Sequence, residues 1–512
     1  MKSLILFFVL LWTSATIAQV EILDDQDGLD DEIQGYSSVI PYPFYAEDKE
    51  NINKMMIIES GSMALQARID LIRRAQKSID VEYFIYNTDM AGKIITRELI
   101  EAAKRGVKVR ILVDHSLPIF KLDEYYAQAL AKFGIEVKYY NTAPLIRIST
   151  VQFRNHRKLL LIDDTEVITG GRNIGDEYFN LSKKFNFNDR DLHVTGPVVK
   201  VMKDSFESFF NHKISKRAAK PSFTEFSGEK ESERVERMKV FNANLSKAEK
   251  FLQETPEELA AREKTKEISD SVMKNKRWHD CKHTTYSTDA PGANFFSRLN
   301  PRYDMKYRFL RKTLFDKISA IDKAILISSP YMLHNKHSKK LLKDLRKKNV
   351  DVTIYTNSLA STDAIYVAAN LYLDLFRWRR QGINIYLHDG NWSGVEEGVD
   401  ESIMNAKWGT HDKTQIYDTS TYSELMVGTY NIDNRSNFYN TEMAMFCRGN
   451  DELVDEARHY ISKQKTQGIT INPDGTATDR EGERKSIYGT NRRGLLVMKL
   501  ITLPSWLLKF LL

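Results

Sequence analysis

Short apolar stretches and amphipathic helical stretches alternate along the first half of this chain. Segments 78–86, 107–114 and 135–140 are short and rich in β-branched or aromatic residues, which predicts three strands. Segments 92–105 and 122–133 have the apolar spacing of amphipathic helices. Strands that alternate with helices across short junctions predict an α/β fold.

The same order of elements returns in the second half, although the residues differ. Helices and strands are predicted there in turn at 314–321, 323–329, 335–347, 350–357, 363–380 and 382–387. In each half, a histidine-containing motif follows these elements. The period is far too long for a solenoid, so the repeat indicates two duplicated domains that pack together. We place these domains at 40–217 and 296–463.

Two segments differ in character from these domains. Segment 218–295 is dense in Lys and Glu over most of its length and predicts a connector of charged surface helices. Its alternative role is an arm that binds a membrane or a partner. Segment 464–512 predicts a polar loop over 468–481 and then a hydrophobic tail interrupted by Pro504. The tail suits either an interfacial segment in a membrane surface or a helix that covers the fold's own core.

The N-terminal residues have the pattern of an export signal. Lys2 provides positive charge, 4–12 is apolar, and Ala18 offers a small residue for cleavage. The apolar stretch is shorter than the roughly 20 residues of a spanning helix, which favours a cleaved signal peptide at 1–18 over an uncleaved anchor. We therefore expect an exported, membrane-associated protein, either secreted or at the periplasmic face of a bacterial membrane.

Composition narrows the chemistry only in part. The formal net charge of +6 suits an anionic partner, such as a phospholipid headgroup or a nucleic acid, and selects neither. Cys281 and Cys447 are the only cysteines, which excludes a disulfide scaffold and a cysteine-rich zinc site. They could form one bridge after export or remain two buried thiols.

The chemistry is concentrated in a motif that occurs twice. It consists of a histidine, a lysine two residues later and an aspartate five residues after that, and its copies are His156, Lys158, Asp163 and His411, Lys413, Asp418. Both copies lie in strand-like stretches, where residues two apart point to the same face, so each histidine and its lysine face one ligand. A glycine-containing stretch follows each copy and ends in Asn173 or Asn431, whose short side chain can reach the same pocket.

These residue types suit the cleavage of a phosphodiester. Lysines and amides can hold the negative charge while a fifth bond forms at phosphorus. One imidazole can attack the phosphorus while the other protonates the departing oxygen. Because one displacement is divided into two, an alcohol can replace water in the second step. The other histidines lack metal-ligand spacing, and we expect neither a metal nor a cofactor.

The duplicated motif resembles that of the phospholipase D superfamily. The match extends through 170–179 and 431–436 to Asn440 and Glu442, and these flanks look most like the bacterial cardiolipin synthases of the C type. The resemblance covers about 45–463 and is specific at the motifs. It implies two α/β domains with mixed β-sheets, related by a pseudo-twofold axis, with the active site at their interface.

The resemblance also implies roles for the motif residues. His156 is the expected nucleophile and His411 the expected general acid and then base, although the near symmetry of the halves leaves the reverse assignment open. The phosphoryl oxygens would be bound by Lys158, Lys413, Asn173 and Asn431. Gly171 and Thr429 stand where many family members carry serine, so one hydroxyl contact is missing or altered.

Carboxylates complete the implied site. In the family a carboxylate on the next strand orients each histidine, and Glu442 and Asp191 match these positions. Asp163 and Asp418 are counted with the catalytic motif. Their offset of seven residues from the histidine places them off its strand face, which predicts a supporting role.

We expect a membrane-associated phosphatidyltransferase that acts on anionic or zwitterionic glycerophospholipids, with cardiolipin synthesis the leading reaction. A hydrolytic phospholipase D that releases phosphatidic acid is the close alternative. A nuclease is less favoured, because the chain lacks a clear basic stripe with interleaved aromatic residues, and no nucleic acid partner is expected. A noncatalytic scaffold is disfavoured because both motifs are intact.

Overall fold

The computed structural model describes residues 46–48, 52–115, 122–142, 153–218, 230–292, 308–333, 336–392 and 398–486, together with Gly394, Leu496 and Leu500. The expected signal peptide at 1–18 and nearly all of the expected hydrophobic tail lie outside these residues. Among the residues described, no helix combines the length and the apolar character that crossing a membrane requires.

The first half of the chain builds a mixed sheet with helices packed on it. Its elements in chain order are β1 (Ala46–Asp48), β2 (Asn53–Ile58), α1 (Gly61–Arg74), β3 (Ser78–Tyr83), α2 (Met90–Lys104), β4 (Lys108–Asp114), α3 (Glu124–Ala131), β5 (Glu136–Tyr140), β6 (Leu159–Ile162), β7 (Glu166–Gly170), β8 (Phe185–Asn188), β9 (Asp191–Thr195), α4 (Val198–Phe210) and β10 (Ser215–Arg217). Strands β3, β4 and β5 are parallel, whereas β6, β7 and β9 continue the sheet antiparallel. The sheet is therefore mixed, as expected for this α/β fold.

The second half repeats this arrangement. Its elements, including the segment between the halves, are α5 (Glu231–Phe251), α6 (Pro256–Met273), β11 (His279–Cys281), β12 (His283–Thr288), α7 (Phe309–Ser319), β13 (Ala324–Ser328), α8 (Lys336–Lys347), β14 (Asp351–Asn357), α9 (Ile365–Arg380), β15 (Asn384–His388), α10 (Glu401–Met404), β16 (Lys407–Thr410), β17 (Thr414–Asp418), β18 (Ser423–Gly428), β19 (Met443–Arg448), α11 (Asp451–Gln467), β20 (Ile469–Ile471) and β21 (Ala477–Thr478). Strands β13, β14 and β15 are parallel, and β17, β18 and β19 follow antiparallel. The predicted duplication is confirmed.

The two halves exchange strands. The first sheet has the order β10-β5-β4-β3-β6-β7-β9-β2-β11, and the second has the order β1-β12-β19-β18-β17-β13-β14-β15-β20-β21. Strand β1, from the start of the described chain, thus lies at an edge of the second sheet. A separate pair, β8 with β16, joins one strand from each half in parallel.

A shared apolar core joins the two sheets. It contains residues of both sheets and of the helices α4 and α11, while separate clusters lie under α1–α3 and under α7–α9. Strand β6 shows the division: Leu159 and Leu161 face the shared core, whereas Leu160 and Ile162 face the outer helices. The molecule is therefore layered as helix, sheet, sheet and helix, with the ends of the central strands at the interface.

The segment expected as a connector, 218–295, is helical only in part. Helices α5 and α6 are charged, and the described part of α5 buries only Ala248, as expected of surface helices. Strands β11 and β12 instead belong to the two sheets, because edge strands β2 and β19 offer them unpaired backbone groups. These strands were missed because their residues form no aliphatic run. Cys281 and Cys447 form a disulfide there, which decides between the two states that the sequence left open.

The expected polar loop at 468–481 contains a short hairpin. Strand β20 pairs antiparallel with β15 and with β21, and it buries Ile469 and Ile471 against the second sheet. The expectation of a loop was wrong for these residues because three-residue strands leave little pattern in a sequence and gain their stability from the neighbouring edge.

Candidate active site

The two histidine motifs meet at the interface, and each is held in place by the other half of the chain. The backbone N–H of His156 donates to the carbonyl oxygen of Thr441 at 3.0 Å, and that of His411 donates to the carbonyl oxygen of Asn188 at 2.8 Å. These contacts continue a parallel bridge between Asn155 and Thr441 and the parallel pair of β16 with β8. The site therefore forms only when both halves are assembled.

Each imidazole is oriented by a carboxylate from the opposite half. Nδ1 of His156 lies 2.9 Å from Oε2 of Glu442, and Nδ1 of His411 lies 2.7 Å from Oδ2 of Asp189. All four side chains are buried. A carboxylate accepts the proton on Nδ1, which leaves Nε2 with its lone pair for attack or for proton transfer. Each half therefore provides the histidine of one pair and the carboxylate of the other.

Asp189 makes this contact in place of Asp191, which the sequence argument had chosen. Asp191 pairs instead with Arg68 at 2.8 Å, buried behind the site. The backbone register explains the difference: Gly171 N bonds the carbonyl of Arg190, and Thr429 N bonds that of Met443. Asp189 directly precedes Arg190, and Glu442 directly precedes Met443, so the two carboxylates occupy equivalent positions in the two halves. The spacing from the motif to the carboxylate differs between the halves, so sequence comparison alone could not align them.

The carboxylate of Glu442 has three further partners. The hydroxyl of Thr429 donates to it at 2.5 Å, that of Ser436 at 2.7 Å, and the amide of Asn440 at 3.3 Å. Burial nevertheless raises the pKa of Glu442 to about 7, and burial likewise raises that of Asp189 to about 7. The flanking residues that carried the resemblance therefore hold the orienting carboxylate.

Gly171 takes the position that Thr429 has in the other half. A Cβ atom at Gly171 would lie 2.1 Å from Oδ1 of Asp189, so the absence of a side chain lets the shorter carboxylate approach. Thr429 instead provides a hydroxyl to the longer Glu442. The two departures from the serine of many family members therefore match the two different carboxylates.

Both motif lysines are buried beside the histidines. Lys158 Nζ donates to the carbonyl of His156 at 2.6 Å, and Lys413 Nζ lies 2.9 and 3.2 Å from the two ring nitrogens of His411. Burial lowers the pKa of Lys158 to about 7 and also lowers that of Lys413. Burial and these ammonium groups hold the pKa of both imidazoles well below 6.5. Such a concentration of cationic groups suits an anionic ligand.

The two asparagines are placed differently. Asn173 accepts a hydrogen bond from the backbone of Ile85 at 3.2 Å and donates to the hydroxyl of Tyr178 at 3.1 Å. Asn431 is buried, and its side-chain oxygen has no hydrogen-bond partner among the described residues. The protein therefore already uses the Asn173 amide, whereas that of Asn431 keeps an unused acceptor.

Asp163 and Asp418 lie at the far ends of their strands. Asp163 accepts hydrogen bonds from the backbone N–H groups of 76–78, and Asp418 pairs with Arg458 at 2.8 Å. Asp163 lies five positions after Lys158 along the extended chain, a distance of roughly 16 Å. Their grouping with the catalytic residues is therefore corrected: both stabilise turns and helix contacts away from the imidazoles.

Three aromatic side chains that the sequence argument missed enclose the imidazoles. The ring of Phe84 lies 5.0 Å from that of His156, and the rings of Tyr178 and Phe187 lie 5.1 and 4.9 Å from that of His411. Apolar walls weaken the screening of charge and so strengthen every interaction inside the site. Tyr178 lies within the flank that matched the family, which was the available signal.

The charges around the two histidines differ. Besides burial and the two lysines, Arg435 lowers the pKa of His156. The carboxylate of Asp363 acts in the opposite direction on His411 and raises its pKa against the lowering by burial and Lys413. Neither residue belongs to a motif copy, so the sequence argument did not identify this difference in the charges that act on the two imidazoles.

Comparisons with known proteins agree with this geometry. The sequence profile described as "Cardiolipin synthase, PLD-like domain" matches residues 69–209 and 314–464. An uncharacterized protein of Helicobacter pylori is 30% identical over 78% of this chain and 78% of its own length. Cardiolipin synthase C of Escherichia coli is 28% identical over 80% of this chain and 84% of its own.

One solved structure shares the fold. The crystal structure of a phosphatidylserine synthase from Haemophilus influenzae superposes with a TM-score of 0.56 at 15% sequence identity, covering 90% of this chain and 95% of the other. Each of the two profile segments lies within one half of the chain and contains one histidine motif.

Proposed function

Because this chain belongs to the family of phospholipase D-like cardiolipin synthase domains, we propose that it transfers a phosphatidyl group between alcohols, with cardiolipin as its principal product. One observation supports this above the others: each of two buried histidines is oriented by a carboxylate of the opposite half, with a lysine beside it. Two imidazoles that share one anionic site provide a nucleophile and a proton donor for a phosphodiester.

In the first step, Nε2 of His156 attacks the phosphorus of a glycerophospholipid. A nitrogen–phosphorus bond forms, the bond from phosphorus to the headgroup oxygen breaks, and His411 gives its proton to the departing alcohol. Lys158 and Lys413 hold the phosphoryl oxygens as charge accumulates on them. Glu442 keeps the His156 ring in the tautomer that leaves Nε2 free.

In the second step, a new alcohol attacks the phosphorus. His411, now neutral, accepts the alcohol proton, the nitrogen–phosphorus bond breaks, and His156 leaves as the neutral ring. Phosphatidylglycerol as the attacking alcohol yields cardiolipin, and water yields phosphatidic acid. The aromatic walls of Phe84, Tyr178 and Phe187 favour an alcohol over water because they present apolar surface to the reacting group.

The charge difference between the histidines supports His156 as the nucleophile. A nucleophile must be neutral, and Arg435 disfavours protonation of His156. A general acid must carry a proton, and Asp363 favours protonation of His411. Bound substrate adds a further negative charge, which raises the pKa of His411 from its low value in the free protein.

We also propose that the enzyme works outside the cytoplasm, associated with a membrane. The disulfide between Cys281 and Cys447 supports this placement, because such bonds persist in oxidising compartments and are rare in the cytosol. The export pattern of 1–18 agrees with it. Mass measurement after thiol alkylation of protein taken directly from cells tests the bond, and two free thiols would contradict the placement.

The reaction is tested on phosphatidylglycerol vesicles, with and without phosphatidylethanolamine, by mass spectrometry of the lipid products. Wild type should form cardiolipin, and His156→Ala and His411→Ala should form none. His459→Ala is the matched control because it removes an exposed histidine outside the site. Phosphatidic acid alone would favour a hydrolase. Hydrolysis of DNA with no lipid product would replace the proposal with a nuclease.

A further inference from the structure

Helix α8 is strongly basic. Helix α8 and the next residue, 336–348, contain seven lysines and arginines and one acidic residue, Asp344. Their net charge of +6 equals the formal net charge of the whole chain, so the remainder is neutral on balance. Surface helices usually mix charges of both signs. The departure in α8 indicates a surface for an anionic partner.

The helix presents a defined lysine face to solvent. Leu342 and Leu345 are buried against the second sheet, while Lys340, Lys343 and Lys347 are exposed. Their spacing of three and four residues aligns them on one side of the helix. Lys347 lies 3.2 Å from Asp344, whereas Lys340 and Lys343 have no ion pair with any residue that the structure describes. We call these three residues the lysine face.

Helix α9 extends this basic surface. The two helices connect successive parallel strands, so they lie on the same side of the sheet. The ammonium group of Lys339 lies 2.7 Å from the Asp374 carboxylate, and the guanidinium of Arg346 donates to the carbonyl of Gln381 at 3.1 Å. Arg377 in the last turns of α9 is 60% exposed. The lysine face is therefore held rigidly and adjoins further cations.

Both helices begin at the rim of the active site. The strand-like segment before α8 bonds through Leu333 N to the carbonyl of Ile432 at 2.7 Å, and Ile432 directly follows Asn431. The hydroxyl of Tyr331 donates to Asp363 at 2.9 Å, and the charge of Asp363 acts on His411. The lysine face therefore lies on a helix that begins near the mouth of the catalytic site.

The rim has one exposed aliphatic side chain beside a buried apolar cluster. Leu333, Ala364 and Val367 form a small cluster apart from the main cores, with Tyr331 packed against it. Ile365, the first residue of α9, is 38% exposed beside them. An exposed aliphatic side chain and a basic helix face in one protein are features of segments that lie in a bilayer interface.

We propose that the lysine face and Ile365 dock this protein on the surface of an anionic phospholipid bilayer, with the active site at the contact. The charge is complementary to anionic headgroups, and the exposed Ile365 favours a bilayer over a nucleic acid, which offers no hydrocarbon layer. The inference rests on the proposed function, since it brings a lipid substrate to the rim. It adds the surface by which the protein approaches its substrate.

The test compares binding of the full chain to phosphatidylcholine vesicles with and without phosphatidylglycerol, measured by vesicle flotation. The triple variant Lys340→Glu, Lys343→Glu, Lys347→Glu should bind phosphatidylglycerol vesicles at least roughly 100-fold more weakly, because each lysine near an anionic surface contributes about a fivefold step and three such steps multiply. Binding to neutral vesicles should not change, since the apolar contacts remain. High salt should weaken the binding of wild type to phosphatidylglycerol vesicles by a similar factor, because salt screens the charge.

A matched control changes the same charge elsewhere. Lys239, Lys264 and Lys266 are 70%, 54% and 59% exposed on α5 and α6, and their triple replacement by Glu should keep wild-type binding. Equal weakening by both triples would attribute binding to net charge and overturn the proposal. If only the control variant bound vesicles more weakly, the membrane-binding surface would lie on the connector helices α5 and α6. If the α8 triple variant lost binding to a short DNA duplex but kept wild-type vesicle binding, the proposal would also be overturned.

A second measurement separates this inference from the proposed function. Turnover of short-chain phosphatidylglycerol dispersed in detergent requires no bilayer, so the α8 triple should match wild type. Normal turnover together with wild-type vesicle binding by this variant would overturn the docking surface alone. Lost binding to phosphatidylglycerol vesicles in the variant, with no lipid turnover by wild type, would overturn the proposed function and leave the docking surface standing.

Discussion

Glu442 contacts the imidazole of a histidine that lies 286 positions earlier in the chain, with its Oε2 atom 2.9 Å from Nδ1 of His156. Asp189 contacts His411 in the reverse direction, at 2.7 Å. Neither half of the chain therefore has a complete catalytic group of its own. Assembly of the two sheets around their shared core is what places a carboxylate behind each histidine.

The carboxylate positions lead to a direct test. Asp189→Asn should reduce kcat by roughly 10²–10⁴-fold, because His411 loses the group that sets its tautomer and supports its protonated form. Thermal unfolding should change little, since the amide fits the same space. The measurement is steady-state turnover of phosphatidylglycerol beside a melting curve.

Asp191→Asn serves as the contrasting variant. It breaks the buried pair with Arg68, so the free energy of unfolding should fall by about 3–5 kcal/mol. The kcat of the folded fraction should stay near that of wild type. A larger loss of kcat in Asp191→Asn than in Asp189→Asn would contradict the assignment of Asp189.

Lys158 predicts a dependence of activity on pH. Burial lowers its pKa to about 7, so the free protein loses the ammonium charge as the pH rises through that value. Since the charge holds the phosphoryl oxygens, kcat/KM should fall about tenfold per pH unit above it. Lys158→Arg keeps its charge throughout and should lose this alkaline limb. An unchanged profile in that variant would assign the limb to another group.

The same lysine predicts a dependence of stability on pH. The unfolded chain keeps the lysine proton up to about 10.5, whereas the folded protein releases it near 7, so the unfolded state binds more protons between these values. The free energy of unfolding should therefore rise with pH across this window, by on the order of 5 kcal/mol from this group. Lys158→Met should lack this contribution in denaturant titrations at matched pH.

Gly171→Ala should inactivate the enzyme by displacing a carboxylate. The added Cβ would lie 2.1 Å from Oδ1 of Asp189, which must move away from His411. We expect a fall in kcat of about 100-fold or more. Gly106→Ala is the control, since a Cβ there meets no atom within 4 Å and any cost is one of backbone conformation. Full activity in Gly171→Ala would show that Asp189 does not need its observed position.

The disulfide should contribute to stability without taking part in catalysis. It closes a loop of 166 residues, for which removal costs about 2–5 kcal/mol. Reductant should lower the melting temperature of wild type and leave that of the Cys281→Ser, Cys447→Ser double variant unchanged. Turnover by the double variant below its melting temperature should remain normal. If reductant left the melting temperature of wild type unchanged, this role would be contradicted.

Local patterns in the sequence determined much of this protein. The alternation of strands and helices and the repeat of both motifs established two α/β halves, because period-two and helical spacing are properties of neighbouring residues. The spacing within each motif placed a histidine and its lysine on one ligand, and the structure brings both copies to one interface.

Only the tertiary structure decided which groups meet across the interface. The choice between Asp189 and Asp191 depends on the register of β9 against β7, and the pairing of Glu442 with His156 depends on how the two sheets pack. Strands β11 and β20 form because neighbouring strands offer unpaired backbone groups. Sequence specifies short-range geometry, whereas contacts between distant residues are set by the packing of complete layers.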